Sequence, residues 1–292
     1  MKVAIYGRPF HEDFTGAAVA FFDMIGRMNI QYMIYGDFAD FLHQRCHIPL
    51  HAYKTYGHHS EIDHPVDFFF SIGGDGTFLE AVTYVRDRGI PLVGINSGQL
   101  GFLANISRHG IGEALEAIRS GNIQMEERSL LELITERPVF DDFQYALNEL
   151  TIQKSDANMI TIQTYVGDLD LNSYWADGLI ISTPTGSTAY SMSVGGPILT
   201  PLCHNLIISP IAPHTLSVRP VLIPDHYELT LKINSRNRRC LVSMDHRHTE
   251  IDHTLVLKVK KAGFKIRMVN LMNQNFFITL RNKLMWGVDK RN

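Results

Sequence analysis

The sequence predicts an α/β N-terminal domain with a parallel sheet, followed by an all-β C-terminal domain, and three observations predict it. Up to about residue 105, short apolar runs alternate with helix-like stretches, the pattern of strands joined by crossover helices. From about residue 122 the runs alternate apolar and polar with little helical patterning, as half-buried antiparallel strands do. Between an apolar run and a helix-like one lies the glycine-rich turn Ser71-Ile72-Gly73-Gly74-Asp75-Gly76-Thr77. A turn of that kind belongs at the carboxyl end of a strand in an α/β sheet, where such sheets bind ligands.

In the first half, Val3–Tyr6, Ile30–Tyr35, Phe68–Ile72 and Leu92–Ile95 read as strands. Ala17–Met28, Phe38–Arg45 and Phe78–Arg88 read as helices. In the second half the expected strands are Ser129–Thr135, Tyr145–Gln153, Ile160–Tyr165, Leu179–Ser182, Tyr227–Ile233, Arg239–Met244 and Thr254–Val259. Phe276–Leu284 is amphipathic and ends in Met285-Trp286. The expected organisation is an α/β domain over 1–121, an antiparallel β domain over 122–265, and a tail over 266–292 that returns to the first domain. No internal repeat or low-complexity tract interrupts it.

Hydrophobic content of 45% and charged content of 20% over 292 residues are those of a soluble globular chain. A net charge of −3 gives no basic face for nucleic acid or an anionic membrane, so neither partner is expected. Cys46, Cys203 and Cys240 lack paired-ligand spacing, which argues against a disulfide framework or zinc site and fits a reducing compartment. Met1–Gly7 reads as a strand rather than a signal peptide, and no apolar stretch approaches the ~18 residues of a membrane span. A cytoplasmic location is expected.

The Gly73–Thr77 turn carries the most chemistry. Glycine lacks the Cβ that would keep a ligand away, and the helix behind the turn presents free N–H groups to an anion. Asp75 is out of place if the turn only holds phosphate, because its charge repels it. It makes sense as a group that takes a proton from a hydroxyl beside a phosphate. The competing reading is an Asp that fixes its own turn. Asn96–Leu103, after the next strand, falls at the same end of the sheet.

A second unusual stretch is Asp177–Ser191, where a strand runs into Thr183-Pro184-Thr185-Gly186-Ser187-Thr188-Ala189-Tyr190-Ser191. Its hydroxyls and amides can donate to phosphate or ribose oxygens, although a helix cap is the plainer reading. Tyr190 could stack on a base or pack in the core. Asn148-Glu149 is a polar pair in the otherwise apolar Ala146–Leu150. It must be satisfied by a ribose diol or a purine edge, unless it simply faces water.

Taken together, Gly73-Gly74-Asp75-Gly76-Thr77, Leu100-Gly101-Phe102-Leu103, Asn148-Glu149, the Asp177–Ser191 block and Pro213-His214-Thr215-Leu216-Ser217-Val218-Arg219-Pro220 resemble the NAD kinases in order and spacing. The glycine turn alone is shared with lipid kinases and phosphofructokinases, whereas the combination is specific. The resemblance implies that ATP phosphorylates the 2′-hydroxyl of the adenosine ribose of NAD to give NADP, with Mg²⁺ accompanying ATP. It implies the two-domain fold of that family with a cleft between the domains, and a homo-oligomer, a dimer or tetramer. Asp75 would be the general base and Gly73, Gly74 and Gly76 would admit the phosphates. Asn148 and Glu149 would hold ribose hydroxyls or base edges, and Phe102 would pack against adenine. Asp177, Thr188, Ala189, Tyr190, Ser191 and Ser193 would line the dinucleotide pocket.

Two positions depart from the pattern. His246 follows Asp245 where the family commonly has glycine, and could reach a phosphate or ribose or be a solvated turn residue. Trp175 stands where other members often carry Arg or Gly, which leaves the choice between NAD and NADH open; the sequence likewise leaves polyphosphate open as an alternative donor. The fourteen histidines, densest at His58-His59, Asp63-His64 and His246-Arg247-His248, lack metal-ligand spacing, so no protein-held metal is expected. The alternatives are a lipid or sugar kinase, which would lack the Asn148-Glu149 and Asp177–Ser191 combination, and a non-catalytic NAD(P) sensor, which would gain nothing from Asp75.

Overall fold

A computed structural model describes residues 1–63, 65–272 and 274–286. Its contacts divide the chain into two units, one formed by residues 1–127 with 266 onward, the other by residues 128–265. The first unit begins with strands β1 (Lys2–Gly7), β2 (Gln31–Tyr35), β3 (Lys54–Tyr56), β4 (Phe68–Gly73) and β5 (Leu92–Asn96). Helices α1 (Thr15–Arg27), α2 (Gly36–Gln44), α3 (Asp75–Val85) and α4 (Ile111–Ser120) accompany them. These strands run parallel in the order β3-β2-β1-β4-β5.

That order reverses direction between β1 and β4. A doubly wound sheet opens a crevice outside the carboxyl ends of the strands at such a reversal, and the Gly73–Gly76 turn leaves the end of β4 there. The core of this unit packs helix faces on the sheet. In α1 the buried Ala18, Phe21, Phe22 and Ile25 fall at helical spacing and meet Phe70 of β4. Burying each large side chain contributes roughly 1.5–3 kcal/mol.

The second unit holds β6 (Ile123–Ile134, entering from the first), β7 (Tyr145–Ala146), β8 (Glu149–Lys154), β9 (Ile160–Val166), β10 (Leu169–Ala176) and β11 (Gly178–Ser182). A short helix, α5 (Tyr190–Ser193), precedes β12 (Asn205–Ile211), β13 (Val221–Pro224), β14 (Leu229–Asn234), β15 (Arg239–Met244), β16 (Arg247–Asp252) and β17 (Leu257–Leu271). Six of them form an antiparallel sheet in the order β13-β12-β11-β8-β15-β16. A second antiparallel layer contains β10, β9, β14 and the start of β17. Alternate residues of both layers meet in one core, including Ile152, Ile181 and Val242 on one side and Ile162, Leu231 and Val259 on the other. The end of β17 returns to the first unit, where Met268 pairs in parallel with Leu92 of β5, and α6 (Phe276–Leu284) follows, capped by the Asn275 side chain on Ile278 N–H. No helix among the described residues is long and apolar enough to cross a membrane.

Two expected strands are corrected. Tyr145–Gln153 is not continuous: it breaks at Leu147-Asn148, whose amides turn to a side chain instead of a neighbouring strand. The expected Thr254–Val259 strand starts at Leu257, because Asp252 accepts from both Thr254 N–H and Thr254 Oγ1 and holds a turn there; it then runs on to Leu271. Helix α4 was not anticipated, although its buried Ile111, Ala114, Leu115 and Ile118 keep helical spacing.

Candidate active site

Helix α3 begins at Asp75, directly after β4, with extended Gly74 as its N-cap and no side-chain cap. Its first amides are therefore left to a ligand or water. A Cβ built on Gly74 or Gly76 meets nothing within 4 Å, so the chain's own packing does not require glycine at either position. Gly73 differs, since its Cβ would lie 2.2 Å from Thr77 Oγ1.

The loop after β5 wraps Asp75. The Asp75 carboxylate accepts from the backbone N–H groups of Phe102 (2.8 Å, Oδ2), Leu103 (3.0 Å, Oδ1) and Ala104 (2.9 Å, Oδ1). Gly101 admits the carboxylate, because a Cβ there would lie 1.8 Å from Asp75 Oδ1. The loop sits directly on β5: a Cβ on Gly94 would be 2.8 Å from Ala104 Cα, Asn96 N–H donates to Ile106 O, and Ile106 N–H donates to Gly94 O. A carboxylate has about four acceptor positions. Two are taken on Oδ1 and one on Oδ2, so Oδ2 keeps a lone pair. The Phe102 side chain is half-buried.

In the second unit, a two-residue turn between β15 and β16 carries Asp245 at φ 53°. Asp tolerates that left-handed position better than most residues. His246 does not share the positive φ and is exposed, so the turn does not require glycine at this position. Asp245 accepts from the N–H groups of Leu147 (2.8 Å), Asn148 (2.8 Å) and Glu149 (3.2 Å), the three amides at the break before β8. The carbonyls of that break are met from the end of β11 and the residue after it: Thr183 Oγ1 donates to Leu147 O at 2.6 Å, and Thr183 N and Ser182 Oγ donate to Asn148 O. With the backbone satisfied, the Asn148 and Glu149 side chains are left over. Asn148 makes no side-chain hydrogen bond among the described residues, and Glu149 Oε2 is buried without a partner.

Glu149 is driven towards its neutral form. Burial first, then the Asp245 charge beside it, push its carboxyl up to about 8, against the opposing pull of Tyr190 N–H. Burial also raises Asp245, but three amides and Arg247 favour its ionised form. Asp245 is the member of the pair that carries the charge. Because the folded protein holds this proton from about pH 4.5 up to about 8, the stability Glu149 contributes is full below that window and lost as pH rises through it. Glu149→Gln is therefore expected to melt like the parent near pH 4.5 and higher than it above pH 8, by on the order of 4 °C. Thermal melts across pH check this, and a pH-independent difference would contradict it.

The remaining residues of this segment divide. Thr188 and Ala189 are half-buried, Ser193 is exposed, and the Tyr190 ring stands at the surface with its hydroxyl accepting from Gln153 Nε2 at 2.9 Å. Ser191 is turned inward: it is fully buried and shares a 3.1 Å bond with Ser209. The expected hydroxyl cluster is largely structural in the same way, with Ser182, Thr183 and Ser187 buried and bonded to backbone. Asp177 pairs with Lys154 at 2.6 Å, and Trp175, half-exposed, packs on His214 at 4.2 Å between ring centres. His58 bonds Ser60 and stacks on His59, while His64 lies outside the described residues. The anchoring roles of Asp245 and Thr183 in the second unit, and of the Phe102–Ala104 amides in the first, were not anticipated, although the Thr183–Ser191 and Asn96–Leu103 segments were singled out; nothing local in the sequence marks which group each of them meets.

Residues 33–123 match the model of the ATP-NAD kinase N-terminal domain and residues 147–271 that of the ATP-NAD kinase C-terminal domain. The chain is 44% identical to the NAD kinase of Flavobacterium johnsoniae over 295 residues and 40% identical to that of Bacteroides fragilis over 292, covering 100% of both chains in each case. Among solved structures, yeast NADH kinase complexed with NADH superimposes with a TM-score of 0.87 at 24% identity, covering 99% of this chain and 88% of that one. An NAD kinase from Archaeoglobus fulgidus in complex with ATP gives 0.74 at 22% identity, covering 98% and 99%. At those identities the two structures share the fold. The full-length relatives and the two domain models place this chain in the NAD kinase family.

Proposed function

We propose that the protein transfers the γ-phosphate of ATP to the 2′-hydroxyl of the adenosine ribose of NAD, with Asp75 as general base. The observation that carries the reading is the Asp75 carboxylate, pinned by three amides with one lone pair of Oδ2 unused, beside a helix N-terminus where Gly74 and Gly76 leave open space. The hydroxyl oxygen forms the new bond to the γ-phosphorus, the bond to the β–γ bridging oxygen breaks, ADP leaves, and Oδ2 takes the hydroxyl proton. An aspartate is too weak a base to ionise an alcohol beforehand, so proton transfer accompanies phosphoryl transfer. Alignment supplies much of the rate.

Magnesium would enter with ATP and neutralise charge on its phosphate oxygens. The turn suits that arrangement: its amides donate to phosphate, and Asp75 is its sole carboxylate. We assign Asn148 and Glu149 to ribose or base recognition and Phe102 to packing against adenine. Asp177, Thr188, Ala189, Tyr190, Ser193 and His246 are assigned to the dinucleotide site. Ser191 is assigned to holding the turn. Polyphosphate is the alternative donor, a dimer or tetramer the proposed assembly, and the cytoplasm the proposed location, which three unpaired cysteines suit.

The glycines separate ligand binding from folding. Gly74→Ala and Gly76→Ala are expected to raise the KM for ATP by about tenfold or more with the melting temperature within about 2 °C of the parent. Gly186→Ala is the opposite case, since its Cβ would lie 2.2 Å from the Asn148 carbonyl oxygen; its expected effect is a lower melting temperature. A collapse of the melt in the first two variants would assign those glycines to structure.

A further inference from the structure

Directly after the amides that hold Asp75, residue 105 is tied into a chain of side chains running to the C-terminal segment. Immediately after Ala104, the buried Asn105 donates from Nδ2 to Asn270 Oδ1 of β17 at 2.6 Å. Asn270 in turn donates from Nδ2 to Glu126 Oε2 of β6 at 2.7 Å. On the backbone, Asn105 O accepts from Gln274 Nε2 at 2.9 Å. All four residues belong to the first unit.

The direction of this ladder is fixed from its far end. A carboxylate only accepts, so Glu126 requires the NH2 group of Asn270. That turns the Asn270 oxygen towards Asn105, which must then present its own NH2 group. The side-chain orientation at residue 105, one position from the last amide on Asp75, is thus dictated by Glu126.

We propose that the Glu126–Asn270–Asn105 ladder, with Gln274, is a positioning brace for the catalytic loop: it sets where the Phe102–Ala104 amides hold Asp75 and so where the base meets the substrate hydroxyl. The inference rests on Asp75 acting as the base. Neither Asn270 nor Glu126 touches substrate in this account. Their effect is on kcat through the loop, because small misplacements of a reacting group cost rate rather than affinity.

Asn105→Asp puts an acceptor against the Asn270 oxygen, and flipping Asn270 then sets its oxygen against Glu126. Adding Glu126→Gln lets the whole ladder reverse, with Asn270 donating to Asp at 105 and accepting from Gln at 126. Steady-state kinetics of NADP formation, with pH–kcat profiles, are measured for the parent, Asn105→Asp, Glu126→Gln and the double variant. The expected result is a kcat about 10- to 100-fold lower in Asn105→Asp, with its acid limb displaced and the KM for NAD within about twofold. The double variant recovers most of the loss.

Asn105→Asp with parental kcat and pH profile overturns the proposal, and so does a loss that the double variant leaves unrecovered; Glu126→Gln alone, whose amide oxygen still accepts from Asn270, is the control expected to turn over like the parent. If Asn105→Asp does not fold, Gln274→Ala, which deletes one bond to the Asn105 carbonyl, is measured instead. A lower kcat with unchanged KM supports the brace and parental kinetics overturn it. An Asp75→Asn control separates the two readings: if it turns over like the parent, the base assignment fails; if it is dead while Asn105→Asp behaves as parent, the brace alone fails.

Discussion

Asp75→Asn is expected to lower kcat by about 10²- to 10⁴-fold, the range typical of losing a general base, while NAD and ATP still bind. The structure adds a second expectation. An amide offers one acceptor oxygen and one NH2 group, whereas the carboxylate takes N–H bonds on both oxygens, from Phe102 on Oδ2 and from Leu103 and Ala104 on Oδ1. With the amide oxygen kept towards Leu103 and Ala104, the new NH2 group faces Phe102 N–H, and that bond is lost. A melting temperature lowered by a few degrees should accompany the loss of turnover, since one backbone bond to a charged acceptor contributes about 1.5–3 kcal/mol. Calorimetric titration with NAD separates the effects: binding within about threefold of the parent, with turnover gone, assigns Asp75 to chemistry. Abolished binding would make it a structural anchor.

Asp245→Ala is the largest stability effect expected. It strips three backbone amides of their acceptor at the break before β8, a strand in the interior of the six-stranded sheet. Water can reach part of this half-buried turn, so the expected loss is about 3 kcal/mol or more rather than the full cost of three charged bonds. Against a typical total of about 5–15 kcal/mol this is a large share. Asp245→Asn should recover part of it, because Asn tolerates the left-handed position and keeps one oxygen. Removing the Asp245 charge should also lower the Glu149 pKa, narrowing the pH window in which Glu149 holds its extra proton. Urea melts at two pH values test both, and an alanine variant as stable as the parent would contradict the anchoring role.

The parts of the fold readable in the sequence are those specified locally. The β4 run, its glycines and the α3 pattern are adjacent in the chain, and each requires the next. The Phe276–Leu284 helix is legible from its period alone. What escaped depends on distant partners. Leu147 finds Asp245 at a separation of 98 residues, and nothing near Tyr145–Gln153 signals that its amides leave the sheet there. Strand β10 was missed because Asp168, Asp170 and Asn172 mask its alternation; as an edge strand it exposes Trp175 and Leu169. The Thr183–Ser191 hydroxyls mark the right segment but not their direction, since a serine facing a ligand and one facing Ser209 look alike in sequence.

The most direct test of the account is NADP formation from NAD, ATP and Mg²⁺, read by an NADP-specific dehydrogenase, with Asp75→Asn protein run beside the parent. The account predicts steady NADP accumulation by the parent and essentially none by the variant. A folded parent that makes no NADP from ATP or polyphosphate, or a variant that makes it at the parental rate, would contradict it.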